Sequence, residues 1–284
     1  MLIFCTQTMR IGFWSRRSRG GIGAGTADLI SKTCRLLQIW VCALAVIGTL
    51  GAASETPVPK GSSEFQGALD RLGVPYQVPR RGKAILVNIP AFELIAFEDG
   101  LPTLRSRVIV GTSWNPTPLL ETTTKTVRFR PTWRPTRSMI ASGEYRDRIW
   151  PPGPQNPLGL AAIRFAAQIP IYLHDTNRRD LFDREVRALS HGCIRVERWD
   201  ILVAWTLDMD LSEVHRLANG PATLDVATPA IPVRVGYFLT FPDATGAPVT
   251  YDDVYGRGVG QTSGGSDLPR AQFACSAHDE RDVR

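Results

Sequence analysis

The chain is predicted to be mainly β with few helices. Short apolar runs rich in Val, Ile, Phe and Tyr recur from Lys83 to Phe241, with Gly, Pro and Asp turn residues between them. Only Val196–Leu207 repeats its apolar residues at a strong helical period. Between Arg146 and Gly159 lie four prolines, which no long helix or central strand tolerates.

The elements follow in order. "LLQIWVCALAVIGTL" (Leu36–Leu50) comes after a basic stretch and is followed by the small residues "GAAS", so residues 1–53 read as a cleaved signal peptide. The eighteen residues from Leu36 to Ala53 just suffice to span a bilayer, which makes an uncleaved N-terminal anchor the alternative. Residues 54–81 read as a linker with a short helix at Glu64–Gly73, where Phe65, Leu69 and Leu72 share a face. "AILVNIP" (Ala84–Pro90), "FELIAF" (Phe92–Phe97) and "LRSRVIVG" (Leu104–Gly111) read as strands. The Asp99-Gly100 turn makes the second and third a hairpin. Strands are also expected in Thr124–Trp133, Ala161–Ala167, Ile169–Asp175, Ala222–Ala227 and Ile231–Phe241. The proline stretch reads as a rigid loop, either covering a site or crossing the surface. Residues 82–258 form one domain on this reading. Residues 259–284, glycine- and serine-rich and then charged, are expected to be a mobile tail.

Composition excludes some functions. At 43% hydrophobic residues the chain can build a core. Its net charge of +6 suggests a nucleic-acid binder, but residues 1–53 hold a surplus of five positive charges, leaving +1 for the rest. The basic balance belongs to the leader, and no nucleic-acid partner is expected. Export would remove Cys5, Cys34 and Cys42 and leave Cys193 and Cys275. An oxidising compartment tends to pair two such thiols. Against a pair stand the polar surroundings of Cys275 and the unusual sequence around Cys193, and a free Cys193 is expected.

That sequence is "LHDTNRRDLFDREVRALSHGCIRVERW" (Leu173–Trp199). A thiol is nucleophilic as thiolate, and an adjacent imidazole can take its proton. His191 is two residues from Cys193 and His174 is nineteen away, and either can be the base. The predicted helix beginning at Val196 would add positive potential near the sulfur. Gly192 removes a side chain beside the nucleophile, so backbone N–H groups can face an oxyanion. A zinc site would use His174, His191, Cys193 and Asp175, but spacing supports this poorly, and no metal or cofactor is expected. A buried structural thiol is the plainer alternative.

"IYLHDT" followed by "RALSHGCIRVE" closely resembles the signature of the YkuD-type L,D-transpeptidases: a histidine, a gap, Ser-His-Gly-Cys, an apolar residue and Asn or Arg. "VNIPAFEL", "RVIVG", "PTW", "PPGPQNPLG" and "YDDVYGRG" resemble segments of the larger periplasmic, YcbB-like members, in the same order. The resemblance implies a YkuD-like β-sandwich or mixed-sheet catalytic domain with a loop cover. It makes Cys193 the nucleophile and His174 the base, with the Asp175 carbonyl as third group. Ser190, His191 and Gly192 would shape the site, with the N–H groups of Gly192 and Cys193 as oxyanion hole. The charge of Arg195 suits a substrate carboxylate, and Trp133 is a candidate for lining the cleft.

The implied partners are peptidoglycan stem peptides, as donor and as acceptor, joined 3→3 in the periplasm. The segment Ser142–Gly159 looks shorter than the family's capping insertion, and no peptidoglycan-binding module is visible. The acceptor therefore stays open between a stem amine, a wall-anchored lipoprotein lysine and water. Water would make the enzyme a carboxypeptidase or amidase. A tether to the inner membrane through the leader, and a non-enzymatic wall-binding protein, are the remaining alternatives.

Overall fold

The structure, a computed structural model, describes residues 60–166 and 170–258, with side chains from Glu64 onward. The leader, the tail and Cys275 lie outside the described residues. The strands are β1 (Lys83–Asn88), β2 (Glu93–Glu98), β3 (Leu101–Gly111), β4 (Leu120–Phe129), β5 (Ala161–Phe165) and β6 (Tyr172–His174). They continue as β7 (Ala188–Ser190), β8 (Ile194–Val196), β9 (Leu224–Ala227), β10 (Pro232–Gly236), β11 (Thr240–Pro242) and β12 (Pro248–Thr250). The domain is mostly β, as the sequence predicts.

β1, β2 and β3 form an antiparallel meander. Its second turn has Asp99 and Gly100 both at positive φ, the backbone twist that a tight hairpin needs. β10 lies between β1, to which it is parallel, and the first half of β4, to which it is antiparallel. The second half of β4 pairs with β5 and β9. β5 continues to β6, β6 runs parallel to β8, and β8 pairs with β3. Following these neighbours from β10 through β1, β2, β3, β8, β6, β5 and β4 leads back to β10, so the sheet closes on itself. Closure removes open edges that would pair with other chains.

β1 shows why its run is wholly apolar. Ile85 and Val87 face the main core with Val108, Val127, Phe129 and Ile194. Ala84 and Leu86 face the other way, into a second cluster with Phe65, Leu69, Phe97, Phe238 and Phe241. Phe65 and Leu69 come from the helix Lys60–Arg71. Burying each such side chain is worth about 1.5–3 kcal/mol. The helix thus roofs β1 and β2, and part of the expected linker is packed into the fold.

Three local departures have physical causes. The helix predicted from Val196 begins at Trp199, because Ile194–Val196 is taken by β8. The run Ile231–Phe241 splits into β10 and β11 because the Asn88 side chain binds both the N–H and the carbonyl of Phe238 (2.9 and 3.0 Å) and turns the chain. The amphipathic helix Leu211–Ala218, which the sequence reading did not single out, is only eight residues long and buries Val214 and Ala218.

Candidate functional site

β6 and β8 deliver the chemistry. Their parallel register sets Leu173 beside Ile194 and His174 beside Arg195. Paired residues share a face and alternate residues return to it, so His174 and Arg195 point to one side and Cys193, two before Arg195, returns to it. These three line one cavity with Trp133, Tyr145 and Leu158. Ser190 and His191 also reach it. Cys193 and His174 are 2% and 4% exposed, so the site is closed in this state.

His174 ends β6. Its Nδ1 contacts the carbonyl oxygen of Asp175, which fixes the ring's rotation and makes Nδ1 the protonated nitrogen of the neutral ring. Burial, with the positive charge of Arg195 adding to it, pushes the imidazole's pKa from 6.5 down to about 3, against the pull of the Asp175 and Leu158 backbone groups. At neutral pH the ring is uncharged and able to accept a proton.

The turn before β8 is tightly bonded. Ser190 Oγ donates to the carbonyl of Cys193 (2.6 Å) and accepts the N–H of Gly192 (3.1 Å). The Gly192 N–H, expected at an oxyanion, is therefore engaged by Ser190 here. Gly192 has φ +111°, in the range that favours glycine. Its carbonyl accepts from Thr117 Oγ1 (2.8 Å). Helix potential does not reach Cys193: the helix starts at Trp199, and its field fades within about a turn.

Cys193 is disulfide-bonded. This corrects the expectation of a free thiol. Cys193 is the one cysteine among the described residues.

The cover over the cavity begins after β4. The backbones of Trp133 and Trp150 exchange two hydrogen bonds (3.0 and 2.6 Å), and both rings pack on Tyr145. Trp133 is 3% exposed and forms wall rather than open cleft. The proline loop is pinned by Asn156, whose amide donates to the carbonyls of Pro131 (2.8 Å) and Pro151 (3.1 Å) and whose oxygen accepts from Leu158 N–H (2.9 Å). The loop then returns at Gly159, φ +65°, where an added Cβ would lie 2.3 Å from Asp175 Oδ2. The Asp175 carboxylate accepts from Leu160 N–H (2.9 Å) and pairs with Arg179 (3.1 Å). One residue thus orients the histidine through its carbonyl and holds the cover through its side chain.

The two remaining predicted residues differ in state. His191 Nε2 is 2.9 Å from Glu144 on the cover. Arg195 is half-buried beside the site, where desolvation lowers its pKa, and no ion pair or hydrogen bond engages its guanidinium among the described residues. Asn156, Glu144 and Thr117 were not singled out by sequence. Only Asn156 left a signal, as the turn-forming Asn-Pro step of "PQNPLG". Among the described residues no group of three His, Cys, Asp or Glu side chains could hold a metal ion. No described helix is long and apolar enough to cross a membrane.

A closed, mainly β domain that collects a cysteine, a histidine and an arginine in one buried cavity is the class defined so far. Residues 82–212 match the model of the YkuD family, the L,D-transpeptidase catalytic domain. A putative L,D-transpeptidase of Haemophilus influenzae is 28% identical over 222 residues, covering 63% of this chain and 45% of that protein. The probable L,D-transpeptidase YbiS of Escherichia coli is 34% identical over 126 residues, covering 42% of this chain and 39% of that one. The chain spans less than half the length of these relatives. A solved L,D-transpeptidase from Mycobacterium smegmatis aligns over 54% of this chain and 58% of that one, at 17% identity and a TM-score of 0.34.

Proposed function

We propose that the chain is a peptidoglycan L,D-transpeptidase of the periplasm, with Cys193 as nucleophile and His174 as base. The observation that carries this reading is the single cavity shared by Cys193, neutral His174 and the cationic Arg195. The cavity belongs to a segment that matches a family whose name states the reaction. The leader's composition supports export.

In the reduced protein, His174 takes the Cys193 thiol proton. The sulfur attacks the carbonyl carbon of the third residue of a tetrapeptide stem, typically meso-diaminopimelate. The tetrahedral oxyanion collapses, the peptide C–N bond breaks, and D-alanine leaves with the proton from His174. A thioester on Cys193 remains. An amine of a second stem then attacks it, losing its proton to His174, and a 3→3 cross-link forms as the thiol is restored. Arg195 supplies a fixed positive charge for a substrate carboxylate. The closed cover keeps water from competing with the amine. A lipoprotein lysine or water as acceptor would use the same first step.

Incubating the reduced protein with disaccharide-tetrapeptide tests the reading. Mass spectrometry should find released D-alanine and cross-linked dimers, lost in Cys193→Ala and nearly lost in His174→Ala. Full activity of His174→Ala would move the base to His191. Monomeric tripeptide alone would make the enzyme a carboxypeptidase. The disulfide at Cys193 favours a second reading, a wall-binding protein whose sulfur is structural. That reading requires sedimentation with peptidoglycan and no turnover after reduction.

A further inference from the structure

We infer that Thr117 is a positioning residue that aims the Cys193 N–H at the oxyanion, and that Tyr255 holds Thr117 in place. The inference rests on Cys193 being the nucleophile. Thr117 is fully buried, and its hydroxyl makes two bonds. It accepts the N–H of Gly111 (2.8 Å) and donates to the carbonyl of Gly192 (2.8 Å). The Gly192 carbonyl and the Cys193 N–H belong to one peptide unit. In a planar trans peptide they point in opposite directions. A hydroxyl that fixes where that carbonyl points therefore fixes where the Cys193 N–H points. At φ +111° Gly192 has no side chain to limit the rotation of this plane, so the restraint has to come from outside.

The restraint is itself anchored. Tyr255 OH donates to the Gly111 carbonyl (2.7 Å) and accepts the Thr117 N–H (3.1 Å). It thereby ties Gly111 to the Thr117 backbone. Tyr255 stacks on Tyr237, with ring centroids 5.6 Å apart, and its own N–H donates to Tyr237 OH (2.9 Å). Gly111 has to be glycine, since a Cβ there would meet the Asn115 carbonyl oxygen at 2.0 Å and Gly192 Cα at 3.0 Å. The β3 end, the loop to Thr117 and the nucleophile turn are thus in direct contact. Ser190 engages the Gly192 N–H, which leaves the orientation of the Cys193 peptide as the one that Thr117 sets.

The test compares two reactions of one sulfur in the reduced full chain. Acetylation of Cys193 by p-nitrophenyl acetate passes through an oxyanion; alkylation by iodoacetamide does not. Thr117→Val removes the hydroxyl and keeps the shape. It should slow acetylation about a hundredfold, the scale for a misdirected oxyanion donor, with alkylation unchanged. Thr117→Ser should restore acetylation. Tyr255→Phe should show the same split at about tenfold, and it carries the test if Thr117→Val does not fold. Equal loss of both reactions, or no loss of acetylation, overturns the positioning role alone. Wild-type protein that is alkylated but never acetylated overturns the nucleophile assignment and this inference with it.

Discussion

Acidification should destabilise the bridged protein through His174, by an amount that can be worked from its burial. The imidazole titrates near 6.5 when the chain is unfolded and near 3 when it is folded. Between those values the unfolded state binds a proton that the native state refuses, so stability is fully present above pH 6.5 and falls as pH drops. The slope is about 1.4 kcal/mol per pH unit for one such group. From pH 6.5 to 4.5 the expected loss is about 2.3 kcal/mol, before most carboxylates titrate. Glu93 and Asp175, whose pKa values burial raises, work in the opposite direction at the acid end of this window. Urea unfolding at pH 7, 6, 5 and 4.5, without reductant, measures the total. The same series on His174→Gln isolates the histidine by difference. Parallel curves for the two proteins would refute the claim that a neutral, buried imidazole stands at this position.

Other consequences follow from the same geometry. Reduction of Cys193 should raise the His174 titration midpoint, because a neighbouring thiolate favours the imidazolium; NMR of the ring protons with and without reductant reads this directly. Alkylation of Cys193 should require reductant, and labelling of the untreated protein would contradict the bridge. Gly159→Ala should cost about 2–5 kcal/mol in urea unfolding, from left-handed backbone strain and the displaced, hydrogen-bonded Asp175 carboxylate. A loss below about 1 kcal/mol would show that the cover tolerates a shift there. Asn156→Ala should cost about 2–3 kcal/mol and speed hydrogen exchange at the Leu158 N–H, while a change in stability without faster exchange would place the effect elsewhere.

The strands were legible where local chemistry dominated. β1 and β2 carry continuous apolar runs, β3 ends on another, and the Asp99-Gly100 turn joins the last two, so composition alone places them. The ring they join was not legible, because closure depends on β10 lying between β1 and β4, a pairing between residues more than a hundred positions apart. His174 and Cys193 stood out as residue types. The carbonyl of Asp175, the hydroxyl of Thr117 and the amide of Asn156 act through backbone groups of distant segments, and no spacing rule announces such contacts. The helix start was misread by three residues because Ile194–Val196 suits helix or strand, and neighbours β3 and β6 decided it.

The segment that families recognise, 82–212, is smaller than the unit that can stand in water. Cutting the gene at those limits would strip Phe65 and Leu69 from the outer face of β1 and β2, baring Leu86 and Phe97. It would also delete β10 and leave β1 and β4 with unpaired rims. Such a fragment is expected to aggregate, and an expression boundary drawn before Lys60 and after Gly258 keeps both the roof and the closing strand.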